Sequence, residues 1–287
     1  MEMTMQNDTR DINVLMRLGH PFIADVEDLC IDLVERHSRR LGRPTEFLEI
    51  GCASGITSQK IAARLPEVAV TAHEEYLPFA ALAAERLRGS RVSLRSEPLS
   101  TLRTPVDLLL SAGAHHHLPS TYLDHARSLL RDDGVFVLAD EFCPEYCTPD
   151  ELDHLAGATL IHLANGYVLT SAEEVEAYRA TGALPERARQ MEVRRRRALW
   201  HWYRFVVDEA MRGDHIEVAV TELQSAHDDL VTGDEAEHKL SPSIVERQVA
   251  LAGFRVLHKH VLGPADDPSL HSIIAYELVI SNEPPSR

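Results

Sequence analysis

Cysteine is scarce: the 287 residues contain four, at positions 30, 52, 143 and 147. The pair in Cys143-Pro-Glu-Tyr-Cys147 lacks the spacing of a zinc site and has no second half, so a zinc ribbon is not expected. All four read as free thiols in a reducing compartment. Long apolar runs are missing too, and nothing approaches the roughly 20 residues of a membrane span. The stretch Met1–Arg10 has no apolar segment and does not resemble a signal peptide, so the expected location is the cytoplasm. Positive charge is in deficit, with 29 Lys and Arg against 45 Asp and Glu and a net charge of −16. A surface that acidic repels phosphate backbones, and nucleic acid is not an expected partner. The one concentration of bases, Arg187, Arg189 and the run Arg194–Arg197, reads as a solvated helix face. Internal repeats and low-complexity segments are absent as well.

What remains is a composition, 44% hydrophobic and 26% charged, that supports a buried core in one large domain or in a domain with a sizeable insertion. Residues 1–12 read as a loose tail. Apolar positions at helical spacing predict a helix from Pro21 to about Arg40, stopped by Gly42-Arg-Pro44. Strands and helices then alternate: strand Phe47–Ile50, helix Thr57–Leu65, strand Val68–Thr71, helix Pro78–Leu87, and strands Arg91–Leu94 and Val106–Ser111. Helix Thr121–Arg131 follows, and the turn Asp132-Asp-Gly134 leads into strand Val135–Ala139. Strands separated by helices of about ten residues imply βαβ crossovers and a buried parallel sheet.

After Glu141 the rhythm changes. Residues 143 to about 240 contain no convincing strand but several helical stretches, including Leu184–Met211. Ser171-Ala-Glu-Glu174 and Ser243-Ile-Val-Glu246 match capping boxes. The chain closes with two β-like runs, Phe254–Val261 and Ser272–Ile280, which suit a hairpin at a sheet edge.

The segment richest in chemistry is Phe47-Leu-Glu-Ile-Gly-Cys-Ala-Ser-Gly55. A buried strand runs into Gly51-x-x-x-Gly55 and then a helix, and glycines there let the backbone turn tightly against a ligand at the carboxyl end of a central strand. Glu49, two positions before the first glycine, suits a ligand carrying an amino group better than a pyrophosphate. No P-loop lysine is present. Acids recur at the ends of the next two strands, Glu74 and Glu75 after the second and Glu97 after the third. His115, His116 and His117 follow the fourth strand, and Asp140 and Glu141 end the fifth.

This order resembles the E/D-x-G-x-G-x-G signature and the succeeding strand ends of the class I S-adenosylmethionine-dependent methyltransferases. The resemblance covers roughly residues 45–142 and the final hairpin. Ala53 stands where that signature has its middle glycine, and Asp132-Asp133 replace the usual Pro-Gly before the fifth strand. The resemblance implies a Rossmann-like α/β fold: a seven-stranded, mostly parallel sheet with a C-terminal β-hairpin. An N-terminal helical segment (1–44) would precede the binding domain (45–142 and 243–287), and a helical cap (143–242) would be inserted after the fifth strand.

The cofactor it implies is S-adenosylmethionine, leaving as S-adenosylhomocysteine. Glu49, Gly51, Cys52, Ala53 and Gly55 would form the first contact. Glu74, with Glu75 as the competing choice, would take the ribose hydroxyls, and Glu97 with Ser96 the adenine amino group. Ser111 and Ala112 complete the cofactor set. Methyl transfer needs in-line positioning and, for a protonated nucleophile, a base. Candidates are His115 or His116 and Glu141. His117 and the aromatic run His201, Trp202, Tyr203 and Phe205 are candidates for acceptor binding, and both tryptophans lie in the insertion. Glu222, His227, Asp228 and Asp229 form an acidic group that could hold an amine-bearing acceptor, although a solvated face accounts for it too. No spaced ligand motif points to a metal, and none is expected.

The expected function is methyl transfer to a small molecule, on the insertion's aromatic content an aromatic or heterocyclic specialised metabolite. The alternatives are an S-adenosylmethionine-dependent cyclase or other non-methyl transferase, and a non-catalytic S-adenosylmethionine-binding protein. A homodimer is the assembly entertained, with no sequence feature to fix it.

Overall fold

The computed structural model describes residues 12–232 and 238–282. Two helices open it, α1 (Ile12–Gly19) and α2 (Ile23–Leu41), the second closed by Gly42 in the left-handed conformation. Then come β1 (Thr45–Ile50), α3 (Ile56–Arg64), β2 (Val68–His73), α4 (Leu77–Arg86), β3 (Ser93–Arg95) and β4 (Val106–Ala112). The next elements are α5 (Tyr122–Leu129) and β5 (Leu130–Glu141). The stretch after β5 holds α6 (Pro149–Ala156), β6 (His162–Ala164), β7 (Tyr167–Leu169), α7 (Ala172–Thr181), α8 (Glu186–Arg212) and α9 (Ile216–His227). The last elements are α10 (Pro242–Leu251), β8 (Phe254–Leu262) and β9 (Ile273–Ile280).

The seven strands of the main sheet lie in the order β3-β2-β1-β4-β5-β9-β8. β1 to β5 pair in parallel, whereas β9 runs antiparallel to both β5 and β8. Side chains alternate across the sheet, so one strand feeds two cores. Phe47, Leu108, Leu110, Val135 and Val137 face one layer, with Cys30, Ile31 and Val34 of α2 and Ile61 of α3. Leu48, Ile50, Leu109, Phe136 and Leu138 face the other, with Leu199, Trp202, Tyr203 and Val206 of α8 and Val245 and Val249 of α10. The post-β5 helices therefore share the main core. No helix among the described residues is long and apolar enough to cross a membrane.

The α/β class, the sheet and its C-terminal hairpin match the expectation, and several local expectations do not. The helix expected from Pro21 to about Arg40 is α2, and α1 precedes it as a helix that the sequence patterns do not indicate, the chain turning at His20 to Phe22 between them. Residues 1–11 lie outside the described residues. The turn expected at Asp132-Asp-Gly134 is absorbed into one continuous strand. Buried Asp107 of β4 explains it: its carboxylate accepts from the Glu46 N–H at 2.8 Å, from Arg131 Nη1 at 2.7 Å and from Arg43. A hydrogen-bonded knot thus draws the start of β5 alongside β4. Burial works to raise the Asp107 pKa, but these bonds outweigh it and hold it below the ordinary value. A two-stranded hairpin, β6–β7, occupies the region expected to lack strands; Asn165-Gly166 at its tip are both left-handed, as such a tight turn requires. At α7, Ser171 Oγ caps the Glu174 N–H, while the Glu174 carboxylate accepts from Thr170 instead of from Ser171. The box expected at Ser243 does not form: α10 begins at Pro242, and the Ser243 N–H donates to Glu145.

Glu277 of β9 is fully buried where α2 crosses the sheet, with His37 and Arg36 at Oε2 and His260 Nε2 2.7 Å from Oε1. Burial favours its neutral form, but these three partners hold the pKa down to about 2. Its contribution is present above the ordinary carboxylate pKa near 4.5 and lost as pH falls through about 2. Glu277→Gln is therefore expected to cost about 1.5–3 kcal/mol at pH 7 and to flatten the decline of Tm between pH 5 and pH 2. Thermal denaturation across that range, followed by circular dichroism, checks both.

Candidate active site

β1 is central in the sheet, and its exit begins the site. Gly51 and Cys52 both donate backbone N–H bonds of 2.9 Å to the His73 carbonyl, folding the turn over the end of β2. Gly51 is left-handed (φ +70°), and a Cβ there would stand 2.5 Å from the Ala114 Cβ. No other residue fits, for both conformational and steric reasons. Ala53 is also left-handed (φ +46°), at a cost of about 1–2 kcal/mol that glycine would avoid. Its N–H donates to Glu74 Oε2 at 2.9 Å. Gly55 precedes α3, and Ser58 in the first turn of α3 donates to the buried Glu49 carboxylate. Burial pushes the Glu49 pKa up to about 7 against the Ser58 hydrogen bond, with the nearby Glu74 charge adding to the rise.

The acids after β2 and β3 differ in environment. Glu74 is buried, and its second oxygen accepts from the Tyr76 N–H at 2.9 Å. Glu75 is half-exposed and accepts from the Leu99 N–H. Glu97 pairs with Arg95, which holds its pKa down to about 2, and Ser96 beside it is exposed. Ser111 is fully buried in β4, while Ala112 reaches the cavity described below.

The three histidines after β4 form one short 3-10 turn, with His116 and His117 bordering the cavity and His115 away from it. His115 is buried, its Nδ1 2.8 Å from the Tyr122 hydroxyl and its ring against Phe142, and burial lowers its pKa to about 4. It lies outside the cavity wall. His116 Nδ1 is 2.8 Å from Asp140 Oδ1, and its backbone N–H donates to Asp140 Oδ2 at 3.0 Å. Although burial opposes it, the charge of and hydrogen bond from His116 hold the Asp140 pKa down to about 2. An ionised carboxylate only accepts, so in the neutral form of the His116 ring the proton sits on Nδ1 and the lone pair on Nε2. His117 is exposed, with its ring centroid 3.8 Å from that of His116.

Glu141 extends the site towards α8. Its Oε1 accepts from Trp202 Nε1 at 2.7 Å and lies 3.4 Å from Lys239 Nζ; its Oε2 is 3.6 Å from His20 Nε2. Burial favours the neutral acid, but the Lys239 charge and then His20 hold its pKa below the ordinary value. The remaining aromatic candidates serve elsewhere. Trp202 and Tyr203 are fully buried, Phe205 packs on Phe22 and Trp202, and His201 is exposed. None of the four borders the cavity. Of the acidic group, Glu222 and Asp229 are buried, His227 is exposed and Asp228 is half-exposed. Five arginines of the basic stretch of α8 pair with acids: Arg187 with Glu174, Arg189 with Glu186, Arg194 with Glu151, Arg195 with Glu192 and Asp229, and Arg196 with Glu192.

His20, Glu141 and Glu222 bring three ligand atoms within 4.8 Å of one another, a spacing a metal could bridge. Their chemistry fits one poorly. His20 Nδ1 accepts from the Phe22 N–H at 3.3 Å, which leaves the ring proton on Nε2, the atom facing Glu141. The Lys239 ammonium already supplies positive charge to the same carboxylate.

A cavity of about 370 Å³ joins these parts. Its wall runs from the Gly51–Ser54 turn past Ala112, His116, Asp140 and Glu141 to Glu222 and Ser225 of α9 and to Lys239. Ile12, Asn13, Met16 and Arg17 of α1 cover it. The wall carries the carboxyl groups of Glu27, Glu49, Asp140, Glu141 and Glu222 against the cations Arg17 and Lys239, so it favours a cationic ligand. Sequence reasoning missed α1 and Lys239. Lys239 is one of only three lysines in the chain, and that rarity is the sole signal it offered.

Residues 48–136 match the sequence profile of the methyltransferase domain family. A search of curated proteins finds no match. Among solved structures, the chain is similar to the CurJ carbon methyltransferase (13% identity, TM-score 0.54, 95% of this chain and 59% of that one). It is similar also to the CMeT domain of the citrinin polyketide synthase (12% identity, TM-score 0.54, 95% and 57%). The chain thus spans less than two thirds of either, and at that identity the likeness shows the fold. The profile match over residues 48–136, the strand order and the left-handed glycine turn thus fall in the same register as the class I S-adenosylmethionine-dependent methyltransferase signature that the sequence resembles.

Proposed function

We propose that this chain transfers the methyl group of S-adenosylmethionine to a small-molecule acceptor, with His116 as the base and Asp140 as its orienting partner. The observation that carries the reading is the His116–Asp140 pair on the same cavity wall as the Gly51 turn, which stands in the position expected for the cofactor. The residues fit the cofactor on their own chemistry. Gly51 lets the turn close against Ala114 while its backbone borders the cavity, and the acid-rich wall complements a sulfonium. Glu49 would meet the amino group, and Glu74 or Glu75 the ribose hydroxyls. The carboxylate oxygens of Glu74 keep a second lone pair each beside their backbone donors. Glu97, with Ser96, would meet the adenine.

When bound, S-adenosylmethionine supplies an already activated methyl group. The protein's share is orientation and proton removal. His116 Nε2 takes the acceptor's proton, and ionised Asp140 stabilises the imidazolium that results. Glu141 holds its place through Trp202 and Lys239 and shapes the wall beside the base. His115, locked to Tyr122, positions the turn and does not touch the acceptor. The aromatic or heterocyclic acceptor expected from the insertion draws no support from this wall, whose only described aromatic rings are His116 and His117.

Titration calorimetry with S-adenosylhomocysteine tests the cofactor half. Because Glu49 ionises near pH 7 in the free protein and would be ionised against the ligand's ammonium, binding should release up to one proton below pH 7. Affinity should then weaken as pH falls, by up to tenfold per unit, and Glu49→Gln should remove the slope. Absence of any binding by the wild type sinks the reading. The catalytic half is tested by His116→Ala. With an acceptor found by mass spectrometry to gain one methylene mass, kcat should drop by about 10²–10⁴ at unchanged cofactor affinity. Equal turnover at pH 7 would remove His116 as the base.

A further inference from the structure

Resting on the methyltransferase reading, we propose that Lys239 binds the acceptor's oxygen and that the acceptor is a neutral phenol or enol. Lys239 is almost wholly buried yet borders the cavity. It is held from both sides. Its own carbonyl accepts from Arg195 Nη1 of α8 at 3.5 Å, and the next carbonyl, of Leu240, accepts from the Cys143 N–H at the exit of β5. An ammonium has three donor hydrogens. Among the described residues one goes to the Tyr203 hydroxyl at 2.6 Å, and Glu141 Oε1 stands at 3.4 Å as a charge partner. Donor capacity therefore remains on a fixed cation at the end of the cavity that holds His116 and Asp140.

The surroundings select the ligand's charge. Glu141 and Glu222 share this end of the cavity, so a carboxylate or phosphate that arrives already ionised is repelled. A neutral hydroxyl is not. Charge appears only as reaction begins: the O–H bond breaks, the proton passes to His116 Nε2, and the electron pair stays on the oxygen facing Lys239 Nζ. A donor fixed beforehand at the atom where charge develops lowers the barrier without reorganising. Oxygen, or the conjugated carbon of an enol, is then the nucleophile. The lysine is kept charged through the working range by Glu141, Tyr203 and Glu222, against the effect of burial.

The test uses 4-nitrophenol as a chromophoric probe on the protein saturated with S-adenosylhomocysteine. Bound 4-nitrophenol should ionise about one pH unit or more below free 4-nitrophenol, a tenfold shift in the acid dissociation constant. It should also bind at least about tenfold more tightly than nitrobenzene, which lacks the hydroxyl. Lys239→Met should abolish the ionisation shift and Lys239→Arg preserve most of it, with S-adenosylhomocysteine affinity unchanged in both. An unshifted or unbound probe in the wild type, or the same shift in Lys239→Met, overturns the proposal while cofactor binding leaves the broader reading standing. The two wild-type measurements decide the matter even if the methionine variant does not fold. Failure of S-adenosylhomocysteine to bind the wild type is the separate result that would remove the broader reading.

Discussion

Everything at the active end of the sheet depends on the near-contact between Gly51 and Ala114. One stands at the exit of β1 and the other at the exit of β4, and a single methyl group at position 51 would force them apart. Because the two turns touch, the glycine turn and the histidine turn are positioned by the same van der Waals limit. The approach is backed by two N–H bonds into the His73 carbonyl on one side and by the Asp140 carboxylate, which takes both the His116 N–H and its ring, on the other. Packed interiors transmit such limits because they have no slack to absorb them.

Buried charge forms the second layer of organisation. Glu141, Glu222 and Asp229 lie close to Lys239, Arg195 and the neutral ring of His20, and buried charges of this kind are stable only through their neighbours. This network crosses from the sheet into α8, α9 and the segment before α10. It ties the stretch after β5 to the strand ends more specifically than the apolar core alone could. The aromatic run of α8 belongs to that framework. Trp202 spends its N–H on Glu141, and Tyr203 accepts from Lys239, so both rings act on the cavity through the charged groups they hold.

Much of this was legible in the chain. The short apolar strands alternating with helices, the glycine turn with Glu49 ahead of it, and the acids closing β2 and β3 are local patterns, and local patterns survive translation into coordinates. His116 and Glu141 were likewise visible as residues at strand ends. What the patterns could not do was rank three adjacent histidines, because contacts distant in sequence decide that His115 packs on Tyr122 and Phe142 and that His116 binds Asp140. Nor could they show that the turn expected at Asp132-Asp133 would straighten, since the cause, Asp107 binding Arg43 and Arg131, spans three separate segments.

By itself, then, the sequence determined the sheet, its crossovers, its edge hairpin and the identity of the residues crowding the strand ends. Those follow from periodicity and from backbone conformations open only to certain residues. Which of these groups face the cavity was decided by tertiary structure alone. Lys239 meets Glu141, α1 covers the site, and the α8 aromatics turn away from it through contacts between residues tens to hundreds of positions apart. Side-chain direction there is set by which buried charges find partners, and no stretch of local sequence contains both partners.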